Sequence, residues 1–245
     1  MDPPVRMVPR VENPEEIRQM AQLATEQKIR VNAALDRLNA LLGLKARQDQ
    51  CPPGVADLHR KILETFVEEG RMVRLDEMKQ YLPGDDDAIG MLRELDMVTF
   101  GADGAPTGAY PFTTSMREHT VRINGYRLHA MCSVDALAVA PMFGRPAQVS
   151  SRCRITGTAV EIGMDGATVT NPGEVRQVRV GIDWAAADPT SSCSDSLCTD
   201  MVFLRDDAIA AAWHTADRSS REVFTVSEAV ELADRFFSPL LQRSA

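Results

Sequence analysis

The residues best suited to chemistry lie at positions 126–137, where a cysteine and an aspartate are three positions apart. The first half of this stretch alternates apolar and polar side chains, as in a half-buried strand, whereas residues 133–140 have the composition of a helix that stops at Pro141. Cys132 therefore lies where a strand passes into a helix, and the positive end of the helix dipole favours its thiolate. Asp135 comes round to the same side of that helix. We expect a nucleophilic sulfur and a proton-holding carboxyl group in one small space.

A second cysteine, Cys198, follows a polar, serine-rich loop at residues 189–195. Sequence alone does not bring it next to Cys132. If the two thiols meet beside Asp135, the set suits a soft metal ion, because thiolates select soft cations, and the carboxyl group can then give a proton to a leaving group. The alternatives stay open at this point: a lone buried cysteine is ordinarily a small core residue, as we expect for Cys51 and Cys153, and a first-turn acid ordinarily stabilises the helix dipole.

Composition limits the classes of protein to which the chain can belong. Its 245 residues are 44% apolar and 25% charged, which is ordinary for a globular protein. A formal net charge of −8 argues against a nucleic-acid binder that works by charge alone, because phosphate contacts need a basic face. No apolar run is long enough for a membrane span, and residues 1–10 lack the apolar segment of a secretory signal. We therefore expect a cytoplasmic protein.

The cysteines and histidines lack the spacings of a disulfide framework or of a structural zinc site. The chain has five cysteines, an odd number, and none of them forms a C-x-x-C pair. Its four histidines form no H-x-x-x-H pair. Neither kind of site is therefore predicted.

The hydrophobic pattern divides the chain into three parts. These are a helical extension and linker at residues 1–50, a winged-helix-like helical domain at 51–115, and a mainly β core at 116–245, which contains the candidate catalytic residues. In the first part, one amphipathic helix begins at Asn13 and ends at Gly43, and we interpret it as a packing arm or as the contact of a homodimer. In the second part, the helices and the short hairpin of residues 97–100 and 110–113 are typical of DNA-binding units, but the acidic residues 85–87 repel phosphate, so a structural role is favoured.

From Glu118 onward the apolar residues recur with a period of two, and Asn124-Gly125 is a strong hairpin signal. The predicted strands lie at 120–123, 126–130, 147–150, 158–162, 167–170, 175–182 and 197–204. The later predicted helices lie at 205–212 and 227–237, the second of them capped by Ser227. We therefore predict an α+β fold, in which a helical, winged-helix-like N-terminal part is followed by a mainly antiparallel β-sheet core with flanking helices.

Three segments of the core resemble the organomercurial, or alkylmercury, lyases. The run 131–137 is similar to the family's active-site segment, and the run 143–153 is similar to its Gly-Arg-x-Ala-x-Val-Ser-Ser-x-Cys stretch. The run 197–204 resembles the segment that carries the second catalytic cysteine. The resemblance spans residues 110–241 and extends weakly to residue 55.

This resemblance implies that Cys132 and Cys198 bind mercury and that Asp135 moves a proton, while Cys153 matches a cysteine held to be structural. The implied reaction is protonolysis, in which R–Hg⁺ and a proton give R–H and Hg(II). Asp135 first takes a proton from a thiol and then delivers it to carbon, which requires a carboxyl pKa raised by poor solvation. No cofactor is implied beyond free thiols for turnover. The implied partners are an organomercurial substrate, low-molecular-weight thiols and a mercuric reductase that accepts Hg(II).

Two positions depart from the family's pattern. Thr199 follows Cys198 where the family often has a second cysteine, and Met131 stands where Trp commonly precedes the first cysteine. Cys193 lies five residues upstream of Cys198 instead. We interpret it either as a spare thiol that receives the product metal or as an exposed loop residue.

We therefore predict an enzyme, a carbon–mercury lyase. One rival hypothesis is a non-catalytic protein that binds Hg(II) or Cu(I) through the same thiols. The other is a metal-responsive regulator whose winged-helix-like part touches DNA. Asp135 favours the enzyme because sequestration needs only sulfur, and the acidic net charge weighs against the regulator.

Overall fold

A computed structural model describes residues 14–83 and 87–242 of the chain, with helices first and strands predominating later. The helices are α1 (Pro14–Leu41), α2 (Leu44–Gln50), α3 (Pro53–Glu69), α4 (Leu75–Tyr81), α5 (Ala88–Glu94), α6 (Ser133–Phe143), α7 (Asp207–Ala216) and α8 (Val226–Phe237). The strands are β1 (Val98–Phe100), β2 (Pro106–Ala109), β3 (Phe112–Thr113), β4 (Thr120–Ile123), β5 (Tyr126–Ala130), β6 (Pro146–Arg152), β7 (Ala159–Asp165), β8 (Thr168–Val169), β9 (Arg179–Asp183), β10 (Met201–Leu204) and β11 (Arg221–Thr225). None of the helices in these two ranges is long and apolar enough to cross a membrane.

Two antiparallel sheets form the core. The larger has eight strands in the order β1-β2-β3-β5-β4-β6-β7-β8, and the smaller has the order β10-β9-β11. A parallel bridge between Cys153 and Phe203 joins the end of β6 to β10. The predicted α+β class, with a mainly antiparallel core and flanking helices, is confirmed.

The β4–β5 hairpin brings the chain to the candidate site. Asn124 and Gly125 both have positive φ, 50° and 82°, as the predicted tight turn requires. Ile123 consequently pairs with Tyr126, and the register places alternate residues of β5 on the buried face. Strand β5 then passes directly into the start of α6.

Helix α6 is the buried centre of the fold, because residues 131–140 are all buried and α6 packs against both the main sheet and α8. The prediction that this helix stops at Pro141 was wrong, since it continues to Phe143. Proline is tolerated there because it removes only one N–H donor near the helix end. Gly144 then ends the helix in the left-handed conformation, with φ 59°.

The N-terminal helix α1 joins the core through its second half. Val31, Ala34 and Leu38 are buried at helical spacing, and this part of α1 packs against α8. Residues 21–30 are exposed. The amphipathic helix is therefore confirmed, and its predicted start at Asn13 lies outside the described residues.

Two local predictions about the first half of the chain were wrong. The segment read as a linker contains α2, because Gln48 is buried and its side-chain amide donates to the Leu240 carbonyl at 2.9 Å. The strand that pairs with β1 is β2, not residues 110–113, because a tight turn closes early: the Gly101 N–H donates to the Ala105 carbonyl at 2.8 Å. Strand β3 pairs with both β2 and β5, so the main sheet is continuous across residues 115 and 116. The winged-helix assignment and the three-part division stay predictions.

The second half of the chain also departs from the predicted pattern. Strand β9 begins only at Arg179, and residues 197–200 form a 3₁₀ turn rather than a strand. Strand β11 was not predicted. Helix α8 is capped by Thr225 rather than Ser227, because the Thr225 hydroxyl accepts the Glu228 N–H at 3.2 Å.

Candidate active site

Cys132 occupies the N-cap position of α6. Its backbone is extended, and its sulfur accepts the backbone N–H of Asp135 at 3.3 Å, a role that Ser or Asp usually plays. Asp135 lies in the first turn of α6, so its side chain returns toward the cap. The Cys132 thiol donates to Asp135 Oδ2 at 2.6 Å. The predicted pairing of this sulfur with this carboxyl group is therefore present.

Cys198 reaches the same spot from the other sheet. It lies in the 3₁₀ turn Leu197–Asp200, which immediately precedes β10. Its sulfur is 3.7 Å from Asp135 Oδ2, and one ligand atom each from Cys132, Asp135 and Cys198 all lie within 4.8 Å of one another. All three side chains are buried. The three residues that the sequence singled out thus form one cluster of soft and hard ligands.

Burial controls the protonation of this cluster. It raises the pKa of Cys132 to about 12, so the resting residue is a thiol; the expected thiolate is wrong, because loss of hydration outweighs the helix dipole. Hydrogen bonding with Cys132 and Cys193, together with burial, also raises the pKa of Cys198. Burial raises the pKa of Asp135 to about 7, although hydrogen bonds from both thiols oppose the shift. Asp135 is therefore the group that titrates near neutral pH.

Asp135 also carries an unused acceptor. Its Oδ1 atom is buried and has no hydrogen-bond partner among the described residues, whereas Oδ2 is engaged with the thiols. A buried oxygen without a partner costs free energy, so such an atom is ordinarily satisfied in a native protein. Its presence here indicates an oxygen kept for a proton or for a ligand.

The cluster opens onto a small closed space, which we call the inner cavity. Its volume is about 10 Å³, roughly that of one water. Its walls are Leu38, Leu42, Tyr110, Cys132, Val134, Asp135, Cys193, Cys198, Met201, Phe236 and Phe237. Helices α1 and α8 therefore close the site with apolar side chains. A larger surface groove of about 580 Å³ lies between α1 and α7, but it contains no cysteine and no part of the cluster.

Cys193 is a third sulfur beside the cluster. Its side chain is only 9% exposed, and its sulfur is 3.7 Å from that of Cys198. The interpretation as an exposed loop residue was therefore wrong. The reason is a contact between distant segments, which local sequence patterns do not predict. The Cys193 N–H donates to Asp96 Oδ2 at 3.1 Å and holds the loop against the protein. Asp96 and Tyr110 were not identified from the sequence.

The remaining cysteines, Cys51 and Cys153, lie in the core, and of the two departures from the family pattern Thr199 directly follows Cys198 and Met131 is buried. Cys51 contacts the sulfur of Met97 at 3.8 Å, and Cys153 is buried where the two sheets meet, so both belong to the core as expected. The Thr199 hydroxyl donates to the Ser196 carbonyl at 2.7 Å. The thioether of Met201 lies 3.4 Å from the Cys132 sulfur, which adds a soft atom next to the cluster.

The chain is similar in sequence to known alkylmercury lyases. The family model described as MerB, alkylmercury lyase, matches residues 112–238. An alkylmercury lyase of Streptomyces lividans is 24% identical over 185 residues, which are 75% of this chain and 83% of that protein. An alkylmercury lyase of Pseudomonas putida is 27% identical over 126 residues, 51% of this chain and 58% of that protein.

A solved structure shares the fold. It is described as the mercury-bound form of MerB2, and it superimposes with a TM-score of 0.66 at 16% identity, covering 81% of this chain and 98% of that one. The family model alone spans more than half of the sequence. The chain therefore belongs to the alkylmercury lyase family.

Proposed function

We propose that this protein cleaves the carbon–mercury bond of organomercurials by protonolysis, giving a hydrocarbon and Hg(II). Cys132 and Cys198 bind mercury, and Asp135 moves the proton. The observation that carries the proposal is the position of Asp135 Oδ2, which is 2.6 Å from one sulfur and 3.7 Å from the other. Membership of the alkylmercury lyase family supports the same reaction.

The first stage is capture of the organomercurial cation. An R–Hg group arrives on a small thiolate and exchanges onto Cys132, whose thiol proton leaves with the displaced small thiol. Cys198 then gives its proton to the ionised Asp135 carboxylate and binds the same mercury atom through sulfur. Asp135 suits this task because its pKa of about 7 lets it be ionised at neutral pH and yet lets it hold a proton once the site is filled.

The second stage is cleavage of the carbon–mercury bond. A bare carbanion is too basic to leave, so carbon must be protonated as the bond breaks. Two thiolates donate electron density to mercury and weaken its bond to carbon, and the neutral Asp135 carboxyl group delivers the proton to that carbon. The closed apolar walls support this step, because they exclude water that would otherwise solvate the carboxylate.

The reaction leaves Hg(II) on the two sulfurs and restores the Asp135 carboxylate. Low-molecular-weight thiols then remove the metal, and a mercuric reductase is the proposed downstream acceptor. No other cofactor takes part in these steps. We also propose that residues 1–50, 51–115 and 116–245 act as an extension, a winged-helix-like domain and a catalytic core, and that the exposed part of α1 mediates a homodimer.

One assay separates this function from simple metal sequestration. Purified, reduced protein is incubated with phenylmercury and excess thiol, and benzene is measured by gas chromatography. The proposal requires repeated turnover, with loss of benzene in Cys132→Ala, Cys198→Ala and Asp135→Ala. Tight retention of one mercury per chain without benzene would instead support a non-catalytic protein that binds soft metals.

A further inference from the structure

Cys193 supplies a sulfur that the proposed reaction does not use. The atoms that lie within 4.8 Å of one another belong to Cys132, Asp135 and Cys198, whereas Cys193 approaches the cluster from the Cys198 side, at 3.7 Å between sulfurs. A pair of thiolates can hold one soft ion. Cys198 therefore has two possible sulfur partners for mercury, Cys132 and Cys193.

The loop that carries Cys193 is fixed on both sides of this residue. Asp96 accepts the Ser192 hydroxyl at 2.6 Å through Oδ1 and the Cys193 N–H at 3.1 Å through Oδ2. The Tyr110 hydroxyl donates to Asp96 at 2.9 Å and accepts the Ser194 N–H at 2.9 Å. The Cys193 sulfur is consequently held beside Cys198 by a partly buried polar network rather than by chance packing.

Cys193 also stands between the closed site and the exterior. Together with Leu42, it lines both the inner cavity and an outer cleft of about 160 Å³, whose wall also includes Arg47 and Asp96. Cys132 and Asp135 line the inner cavity but not the outer cleft. A metal ion on Cys132 is thus enclosed, whereas a metal ion on Cys193 is at the boundary with the cleft.

We propose that Cys193 is a third mercury-binding residue, which takes Hg(II) over from Cys132 and presents it to a small thiol in the outer cleft. This inference rests on the proposed function. In the transfer, a mercury–sulfur bond to Cys193 forms and the bond to Cys132 breaks, while Cys198 keeps its bond. The proton of the Cys193 thiol passes to the Cys132 sulfur, and no electrons are exchanged with another reactant. Two small thiols then displace Cys193 and Cys198, and each gives its proton to the sulfur that it replaces.

The experiment measures this transfer directly. The reduced full chain is loaded with one equivalent of Hg(II) and mixed with excess free cysteine, and loss of mercury is followed by the ultraviolet absorption of the protein's mercury–sulfur bonds. We expect Cys193→Ser and Cys193→Ala to release mercury at least about tenfold more slowly, a barrier increase of about 1.4 kcal/mol. The matched control is Cys51→Ser, a buried cysteine outside the site, which should keep the parental rate. Parental release rates in both Cys193 variants would overturn the inference.

A second measurement uses the unmodified chain. Native protein is alkylated with iodoacetamide before and after one equivalent of Hg(II), and each cysteine is mapped by mass spectrometry. We expect bound mercury to protect Cys193, and equal labelling with and without mercury would overturn the inference. Because both measurements start from Hg(II), they remain decisive if no benzene forms from phenylmercury, a result that would end the proposed function alone.

Discussion

Replacing Asp135 with Asn should raise the stability of the protein while removing its activity. The two side chains have the same shape, but the amide cannot carry the proton from sulfur to carbon. General acid–base groups typically contribute about 10²–10⁴-fold to rate, so benzene formation from phenylmercury should fall by about that factor. The stability change has the opposite sign, because the native carboxyl group is buried where its charge is poorly solvated.

The size of the stability change follows from the pKa. Burial raises the pKa of Asp135 from 3.8 to about 7 in the folded protein. Between these values the folded state binds more protons than the unfolded state, so stability falls as pH rises through this window, and the full cost is present above about pH 7. At about 1.36 kcal/mol per pKa unit, that cost is about 4 kcal/mol. The amide of Asp135→Asn has no charge and avoids this cost, although its unsatisfied N–H groups lower the free energy of unfolding by about 1–3 kcal/mol.

Urea unfolding at two pH values tests this reasoning. The stability of Asp135→Asn relative to the parent should increase by about 2 kcal/mol from about pH 5.5 to about pH 7.5, a range below the pKa of a free thiol. The control is Asp165→Asn, an exposed carboxyl group, whose relative stability should not follow this trend. An Asp135→Asn variant that gains no stability with rising pH, or that keeps parental turnover, would refute the assigned burial and proton role.

Three further outcomes are expected. Cys198→Ser should reduce phenylmercury turnover to background, because one of the two mercury-binding sulfurs is lost; benzene production at the parental rate would contradict this. The kcat/KM for phenylmercury should rise with pH up to about 7, because Asp135 must be ionised to accept a thiol proton, and a flat profile would count against that step. Leu42→Ala removes part of the cavity wall, so it should favour bulky arylmercury over methylmercury in competition and cost about 2–4 kcal/mol in urea unfolding. Leu41→Ala, at an exposed neighbouring position, should do neither.

The local half of the site could be predicted from the sequence, because it depends on helix geometry alone. Cys132 and Asp135 are three residues apart at the start of a helix, and that spacing turns both toward the same side. Their protonation could not be predicted in the same way. The helix dipole alone favours a thiolate, whereas the burial of Cys132 itself reverses that preference.

The distant half of the site depends on contacts between segments far apart in the chain. Cys193 is held in the wall of the inner cavity by a hydrogen bond to Asp96, which lies 97 residues earlier. No periodicity in the sequence connects these two residues. The spacing of Val31 and Leu38 predicts a buried face of α1 but does not reveal that Leu38, on this face, lines the cavity. Strand β11 was not predicted because apolar and polar residues alternate only weakly in Arg221–Thr225. Its hydrogen-bonded pairing with β9 stabilises a strand that its own composition does not indicate.

The central claim is that a solvent-exchangeable proton held at Asp135 replaces mercury on carbon. A single-turnover reaction with phenylmercury in deuterium oxide, analysed by mass spectrometry, tests this claim most directly. The mechanism predicts one singly deuterated benzene for each mercury left on the protein, formed by the parent and lost in Asp135→Asn. Undeuterated benzene, or equal amounts of deuterated benzene from both proteins, would contradict it.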